Sequence, residues 1–371
     1  MSSRLALRSF AVLLTLGAAC GGTSTPPGPP VLPPLNGTFM DTGDLPGPRF
    51  GHQAVRLKDG TVLIAGGYDF AGEIMSALRY DPGSGTFAAT GDMRAARWTH
   101  PALLQDGRVL FAGGMTRTGP IGSAEIYDPA AGTFTDTHDL HTGRQLASVT
   151  LLPDGTVLVA GGLDAGAFPL QSAERYDPQT GTFSATGSLR TARAAHSATL
   201  LPDGRVLIAG GSSDSALASA EVYDPALGKF LATGSLDTAR MYHSATLLTT
   251  GKVLVIGGEG TSGILSSAET YDPQTGRFAP AWGLPAPLAQ VTATLLQSGN
   301  VLLAGGADQD TGFSSPLAGE WVLAPGAWAA TGGLGEARYG HTATLLTNGR
   351  VLVVGGLRNS SVLATAELYV P

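Results

Sequence analysis

Five Arg-x-x-His tetrapeptides recur along the chain and contain five of its seven His residues. Imidazole groups are the commonest metal ligands, and guanidinium groups bind carboxylates and phosphates. The motifs therefore indicate metal or anion chemistry if the fold brings them together. They comprise Arg49 and His52, Arg97 and His100, Arg193 and His196, Arg240 and His243, and Arg338 and His341.

Aromatic side chains stand close to several of these Arg residues. An aromatic face beside a guanidinium group can hold a sugar or a peptide, because it combines a large apolar surface with a hydrogen-bond donor. An alternative is that the aromatic side chains only cap neighbouring loops. The predicted binding residues are Arg49, Phe50, Tyr68, Arg97, Trp98, Arg240, Tyr242, Arg338 and Tyr339.

Two acids have the spacing of calcium ligands. Asp308 and Asp310 precede Gly312, but the distal Glu of a complete calcium loop is missing. They are the candidate metal residues, and no other cofactor is predicted. The chain has no Ser-nucleophile motif and no His-Glu metal motif, so the prediction names no catalytic residue.

Seven Gly pairs set the frame in which these residues lie. Each pair ends an apolar, strand-like run, and successive pairs are 47 to 50 residues apart. A period near fifty built from short strands is typical of a β-propeller with one blade per repeat. The pairs begin at Gly66, Gly113, Gly161, Gly210, Gly257, Gly305 and Gly355.

Each repeat predicts four antiparallel strands. Asp-Gly or Asn-Gly joins the first two strands in five repeats, as at Asp203-Gly204, and supplies the positive φ of a tight hairpin. The second strand is apolar on both faces, which indicates burial between neighbouring sheets. The third strand ends in Tyr-Asp-Pro, as at Tyr176, and Phe183 opens the fourth. The predicted fold is all-β, with seven four-stranded blades.

The Gly pair, the Tyr-Asp-Pro turn and the aromatic residue of the last strand follow the order of the Kelch repeat. From Gly37 to Pro371 the chain resembles a Kelch-type seven-bladed propeller, similar to the central domain of galactose oxidase. The usual Trp of the motif is Phe in most of these repeats. The resemblance implies a closed ring, and it admits both binding proteins and enzymes that act on sugars.

The two ends of the repeat region complement each other. Residues 37–39 look like an outer strand without its first three partners, and the chain stops at Tyr369 in a third strand without an outer partner. Pairing the two removes the last open edge of the ring. We therefore expect the strand near Phe39 to complete the blade that contains Gly355 and Gly356.

The repeats also predict which face carries function. The turns between strands one and two and between strands three and four share one side, which we call the short-turn face. The loops after the Gly pairs and the connections between blades form the opposite, variable face, where sequence differences concentrate. The Arg-x-x-His motifs lie in these connections. Neighbouring sheets are about 10 Å apart, so we expect these His residues to make one hydrogen bond per blade rather than share a metal.

Two repeats depart from the motif. Blade three has Arg144 but Ala147 in place of His, and blade six has Leu288 and Val291 in place of Arg and His. Blade six also lacks the Tyr-Asp-Pro turn. Its differences are consistent with drift or with a local specialisation.

The N-terminal 36 residues have a different character. Residues 1–19 have the layout of a signal peptide, with Arg4 and Arg8 before an apolar stretch and small residues before Cys20. Cys20 resembles the lipidated Cys of a bacterial lipoprotein signal, although ordinary cleavage after Ala19 remains an alternative. Residues 20–36 are rich in Pro and predict a semi-extended tether. The propeller is assigned to residues 37–371.

Charge and Cys content limit the function further. The net charge is −7, and it becomes about −9 when the two Arg residues of the signal are removed. An acidic surface argues against nucleic acid as a partner. The single Cys excludes an intramolecular disulfide, so the packing between blades must supply the stability.

The favoured function is a non-catalytic, monomeric binding propeller that recognises a protein or polysaccharide through its variable face. It would be exported to the outer membrane or cell surface on a lipid anchor, or alternatively be periplasmic or secreted. The second function considered is a carbohydrate-active enzyme of the isomerase or oxidase type. A copper site like that of galactose oxidase requires a Cys crosslinked to Tyr, and Cys20 lies outside the propeller.

Overall fold

A computed structural model describes residues 31–32, 37–307, 321–324 and 327–371, and these form a seven-bladed β-propeller. The predicted all-β fold with four-stranded antiparallel blades is confirmed. The described residues contain no helix. Accordingly, none of their elements is a helix of the length and apolarity that would cross a membrane.

The strand bounds follow the repeat. Two strands precede blade one: β1 (Val31–Leu32) and β2 (Thr38–Asp41). Blade one has β3 (Gln53–Arg56), β4 (Val62–Ala65), β5 (Ala77–Asp81) and β6 (Thr86–Ala89). Blade two has β7 (Pro101–Leu103), β8 (Val109–Ala112), the short pair β9 (Met115–Thr116) and β10 (Gly119–Pro120), β11 (Ala124–Asp128) and β12 (Thr133–Thr137). Blade three has β13 (Ser148–Leu151), β14 (Val157–Ala160), β15 (Ala173–Asp177) and β16 (Thr182–Ala185).

The second half of the ring repeats this order. Blade four has β17 (Ser197–Leu200), β18 (Val206–Ala209), β19 (Ala220–Asp224) and β20 (Lys229–Ala232). Blade five has β21 (Ser244–Leu247), β22 (Val253–Ile256), the short pair β23 (Glu259–Gly260) and β24 (Gly263–Ile264), β25 (Ala268–Asp272) and β26 (Arg277–Ala281). Blade six has β27 (Thr292–Leu295), β28 (Val301–Ala304), β29 (Trp321–Ala324) and β30 (Ala327–Ala330). Blade seven has β31 (Thr342–Leu345), β32 (Val351–Val354), the short pair β33 (Leu357–Arg358) and β34 (Ser361–Val362), and β35 (Ala366–Val370).

The ring closes as the sequence predicts. β2 pairs antiparallel with β35, with Phe39 opposite Tyr369, and supplies the outer strand of blade seven. The rings of these two residues lie 5.2 Å apart between centroids. The blade that contains the last Gly pair is therefore completed by the N-terminal strand.

Deletion of residues 37–45 should destabilise the whole ring, because it removes β2 and exposes the edge of β35. We expect the deletion variant to be largely unfolded or to melt far below the parent chain, as measured by circular dichroism during heating. Deletion of residues 21–30, which precede both described N-terminal strands, is the control and should leave the melting temperature unchanged. Equal stability of the two variants would contradict closure by β2.

The core is divided into seven clusters, one at each interface between neighbouring blades. The second strands are fully buried, as for Val206 and Ile208 of β18, because they are covered by a neighbouring blade on each face. Burial of these aliphatic side chains contributes roughly 25 cal/mol for each Å² removed from water. The first strands contact one another around the axis and complete the ring.

In six blades, a Tyr near the end of the third strand connects the blade to the previous one. Tyr223 of blade four, for example, shares a 2.8 Å hydrogen bond with Thr186, which follows the outer strand of blade three. Tyr223 also packs on Phe230 of its own blade, with ring centroids 4.8 Å apart. The Phe that replaces the usual Trp therefore supports the residue that joins two blades.

The Gly pairs are required by backbone geometry. Both members of the pair in blade three have positive φ, 63° for Gly161 and 98° for Gly162. A Cβ on Gly162 would lie 2.6 Å from the carbonyl oxygen of Gln145 in the connection above it. The pair thus lets the connection between blades pack directly on the end of the second strand.

One feature was not foreseen from the sequence. β1, within the segment predicted as a tether, pairs in parallel with β30 and makes blade six five-stranded. The chain therefore contacts the outer edge of blade six before it enters blade seven.

Candidate functional site

The Arg residues of the connections are buried and bound to the protein itself. Arg193 is 0% exposed, and its Nη2 lies 2.8 Å from Oε1 of Glu221 in the third strand of the same blade. Its Nη1 donates to the carbonyl oxygens of Gly210, at 2.7 Å, and Ser219, at 2.9 Å. The guanidinium group thereby holds the connection onto the end of the Gly pair.

Each Glu partner accepts further hydrogen bonds from the connection. Glu221 accepts from the backbone N–H of Arg190, at 2.7 Å, and of Thr191, at 3.1 Å. A buried charge pair is stable when most of its remaining donors and acceptors are satisfied, and this network leaves only Nε of Arg193 without a partner in the blade. The same pairing occurs in five blades: Arg97 with Glu125, Arg144 with Glu174, Arg193 with Glu221, Arg240 with Glu269, and Arg338 with Glu367.

Blade one keeps the Arg but lacks the Glu. Arg49 is 3% exposed and donates to the carbonyl oxygens of Gly66 and Ser76. Leu78 occupies the strand position that Glu takes elsewhere, because it lies opposite Ile64 as Glu221 lies opposite Ile208. Desolvation lowers the pKa of Arg49 to about 10, and the nearby charge of Asp69 opposes this shift.

The loss of Glu coincides with a loss of donors in the connection. In the paired blades Glu accepts from the N–H three residues before the Arg, and in blade one that residue is Pro46, which has no N–H. Blade six shows the same change, with Pro285 three residues before Leu288. Trp321 takes the Glu position there, opposite Leu303. Glu and the N–H donor three residues before the Arg position are thus present together or absent together, whereas Arg49 remains in blade one.

These contacts revise the predicted binding set. Arg49, Arg97, Arg240 and Arg338 were expected to contact a ligand at an open rim, but all four are at most 3% exposed. The reason is that their side chains turn inwards onto the end of a Gly pair. They do not belong to the candidate binding surface.

The His residues of four connections are also internal. His196 Nε2 shares a 2.9 Å hydrogen bond with Ser148 Oγ of the preceding blade, and His243 does the same with Ser197. His52 bonds Thr342, and His341 bonds Thr292. Desolvation lowers the pKa of each of these four imidazoles to about 3, so they are neutral at pH 7. Each makes one contact per blade, as expected, and they do not converge.

His100 is not equivalent to the other four, and this corrects the sequence alignment. In six blades the second residue after the Arg position has a positive φ, as Ala195 does at 52°. Blade two has no residue with positive φ in this connection. The connection there is one residue shorter, so Thr99 packs on Gly114 where His packs in other blades. His100 therefore moves one position along the strand.

The shifted position of His100 in blade two compensates for the missing His of blade three. The imidazole of His100 hydrogen-bonds the backbone of Ala147, the residue that replaces His in the next blade. Desolvation lowers the pKa of this imidazole, and the hydrogen bond to Ala147 opposes the shift. Blades two and three thus reverse which side of their interface contributes the imidazole.

Most of the predicted aromatic residues lie in one sector of the ring. Phe50 and Tyr68 have ring centroids 5.9 Å apart, and the Tyr68 hydroxyl donates to the carbonyl oxygen of Met115 at 2.8 Å. Met115 in turn pairs with Trp98 through the backbone, so blades one and two are joined. Burial raises the pKa of Tyr68. These residues form a supported patch with limited exposure.

The other two aromatic candidates occupy separate positions. Tyr339 is 9% exposed and lies beside Gly340, whose carbonyl oxygen accepts from the N–H of Gly51 at 2.9 Å. Tyr242 is on the far side of the ring, in blade five, with φ at 52°. Burial raises its pKa to about 12. The structure therefore does not gather all of the predicted residues into one site.

Two aromatic side chains of the variable loops are far more exposed than those in the predicted set. Phe70 in blade one is 68% exposed and Phe168 in blade three is 69% exposed. Each stands at the tip of a short loop that an Asp closes, because Asp69 and Asp164 accept hydrogen bonds from backbone N–H groups of the same loop. These two side chains add exposed apolar area to the variable face.

The two faces differ sharply in charge. Outside the buried Arg and Glu network, the variable face has twelve carboxylates and four guanidinium groups. The short-turn face has nine carboxylates and ten cationic groups. The carboxylates of the variable face are Asp41, Asp44, Asp69, Glu73, Asp92, Asp136, Asp139, Asp164, Asp214, Asp237, Glu259 and Glu336, and the guanidinium groups are Arg94, Arg117, Arg190 and Arg358. The acidic character of the described propeller is therefore confined to the variable face.

Two shallow grooves lie on the short-turn face. One, of about 360 Å³, lies between blades six and seven beside Ser298 and Arg350. The other, of about 290 Å³, lies between blades one and two beside Lys58 and Arg108. Neither contains an aromatic residue of the predicted set.

Three of the predicted residues are outside the described part of the chain. They are Asp308 and Asp310, the calcium candidates, and Cys20, the candidate for lipidation. Within the described ranges, no group of three or more His, Cys, Asp or Glu side chains is placed to hold a metal ion.

Comparison with known proteins agrees with this architecture. Residues 149–190, which span the strands of blade three, match the Kelch motif. Blade three of the propeller therefore matches the Kelch motif. A fungal alcohol oxidase of the AA5 family, solved in complex with copper, matches it with a TM-score of 0.70 and 16% identity, over 91% of this chain and 76% of that chain. At this identity the likeness shows the fold alone. A search of the curated proteins finds no match.

The residues of this propeller do not fit a copper site with a Cys–Tyr crosslink. Its only Cys is Cys20, which precedes the first strand of the ring. No step that depends on copper is therefore derived for this chain.

Proposed function

We propose that this Kelch propeller is a non-catalytic binding protein that uses its variable face. The observation that carries the proposal is the separation of charge, with twelve carboxylates against four guanidinium groups on one face only. Loop tips with exposed Phe70 and Phe168 on the same face supply apolar contact area. Acidic surfaces attract cationic partners and accelerate their association.

The partner that this surface suits best is a protein segment rich in Lys and Arg. A neutral polysaccharide would gain from the aromatic side chains but not from the carboxylates, and nucleic acid would be repelled. We propose that the propeller acts as a monomer and binds without chemical conversion of its partner.

Neutralising part of the variable face should weaken binding of a cationic probe. We expect the triple variant Asp44→Asn, Asp92→Asn and Asp139→Asn to bind a ten-residue oligolysine about tenfold more weakly at low salt, because three favourable charge interactions are lost. Isothermal titration calorimetry at two salt concentrations measures this. The control carries the same charge change on the short-turn face, Asp128→Asn, Asp177→Asn and Asp224→Asn, and should bind within twofold of the parent chain.

Two outcomes would contradict the proposal. Equal weakening by both triple variants would mean that net charge, rather than the variable face, governs binding. Conversion of any sugar on a glycan array by the parent chain would contradict its non-catalytic nature, whereas binding of a neutral glycan with no affinity for oligolysine would favour a polysaccharide partner.

We also propose that the chain is exported and anchored through Cys20 in the outer membrane or at the cell surface. The support is the signal-like sequence before Cys20 and the absence of any other Cys. Metabolic labelling with a fatty-acid analogue should mark the full chain and fail for Cys20→Ser. Labelling that persists in Cys20→Ser, or no labelling of either chain, would contradict the anchor.

A further inference from the structure

The direction of β1 determines the side from which the N-terminal segment reaches the ring. β1 pairs in parallel with β30, with Val31 opposite Trp328 and Leu32 opposite Ala329. β30 is a fourth strand, and every fourth strand starts at the short-turn face and runs to the variable face. β1 runs the same way, so its first residue lies toward the short-turn face.

The length of chain before β1 limits where an anchor can lie. Cys20 precedes Val31 by eleven positions, and eleven residues span at most about 40 Å when fully extended. A lipid on Cys20 therefore lies within about 40 Å of the point at which β1 begins, on the short-turn side of blade six. The variable face is the more distant side.

The charge distribution favours the same orientation. A membrane surface with anionic lipids repels the variable face, where carboxylates exceed guanidinium groups by eight, more than the short-turn face, where cationic groups exceed carboxylates by one. This repulsion acts over about one Debye length, roughly 8 Å at physiological salt. It opposes any rotation that would bring the variable face onto the lipid.

We propose that the short-turn face is turned to the lipid surface and that the variable face points away from the membrane, toward the partner. This inference rests on the proposed anchor at Cys20. It assigns the two faces different surroundings: anionic lipid headgroups on one side and a cationic protein on the other.

Energy transfer to the membrane tests this orientation on the full, lipidated chain. Cys20 is the only Cys, and its thiol is consumed by the lipid, so a single engineered Cys is the only free thiol. Ser298→Cys places a donor dye on an exposed position of the short-turn face, and Ser360→Cys places it on an exposed position of the variable face of the next blade. The vesicles contain phosphatidylethanolamine, phosphatidylglycerol and a headgroup-labelled acceptor.

We expect transfer from position 298 to exceed transfer from position 360 at least twofold. A further variant, Val31→Pro and Leu32→Pro, removes the N–H groups with which β1 pairs and should narrow this difference. Equal or reversed transfer in chains that float with the vesicles would overturn the orientation and leave the anchor standing. Chains that fail to float would instead contradict the anchor, and the orientation with it.

Discussion

Replacing Glu221 with Leu should lower the free energy of unfolding by about 3–5 kcal/mol, because the substitution leaves the guanidinium group of Arg193 buried without a counter-charge. The backbone N–H groups of Arg190 and Thr191 also lose their acceptor. Urea denaturation followed by tryptophan fluorescence measures the change. The chain itself shows that Leu fits at this position, since Leu78 occupies it in blade one.

The double variant Arg193→Leu and Glu221→Leu is the matched control. It removes both charges, as blade six does with Leu288 and Trp321, so no unpaired charge remains buried. We expect it to be more stable than Glu221→Leu alone. If the double variant loses as much stability as the two single variants added together, the pair does not act as a unit and the assignment is wrong.

Acidification should unfold the propeller well above the pH at which carboxylates titrate. The pKa of His52, His196, His243 and His341 is lowered to about 3 in the fold, against 6.5 in the unfolded chain. Because the unfolded state binds more protons below pH 6.5, stability is constant above that pH and falls as the pH drops toward 3. Each imidazole contributes about 1.4 kcal/mol per pH unit, so the four together lose up to about 5 kcal/mol between pH 6.5 and 5.5.

The slope of stability against pH reports the number of protons taken up on unfolding. We expect about four protons near pH 5.5 for the parent chain and about three for His243→Gln, from denaturation curves at half-unit steps between pH 7.5 and 5. Stability that does not change over this range would show that the imidazoles are not buried in their neutral form. An unchanged slope in His243→Gln would exclude that residue.

The strands and the closure of the ring could be predicted because they depend on local chemistry that repeats. Asp-Gly turns and aliphatic second strands set each hairpin, and the fragments at Phe39 and Tyr369 complement each other in strand number. None of these inferences needs a long-range contact to be known. β1 was missed because a strand of two residues, Val31–Leu32, is too short to show a period in the sequence.

The buried Arg network could have been found from the sequence. Glu recurs in the third strand after Ser-Ala in four blades, for example as Ser219-Ala220-Glu221, inside a strand that is otherwise apolar. A charge at a buried strand position requires a partner, and an Arg recurs in the connection of each of the five blades that have this Glu. Leu78 and Trp321 replace Glu in the two blades with Pro46 or Pro285, which indicates a shared hydrogen-bond network.

The role of His100 could not be predicted by matching motifs. Arg97 and His100 have the same spacing as Arg49 and His52, yet the structure places Thr99 where His52 lies. The cause is a one-residue difference in backbone length that the spacing conceals. Only the strand register shows that the His of blade two and Ala147 of blade three are complementary.

The buried side chains that repeat hold the ring, and we propose that the exposed side chains that differ between blades bind the partner. The most direct test is the affinity for oligolysine of the double variant Phe70→Ala and Phe168→Ala, with Met40→Ala and Leu227→Ala as a control for exposed apolar area elsewhere on the ring. We expect the Phe variant to bind at least fivefold more weakly with an unchanged melting temperature, and the control to bind as the parent does. Unchanged affinity in the Phe variant, or an equal loss in the control, would contradict the account.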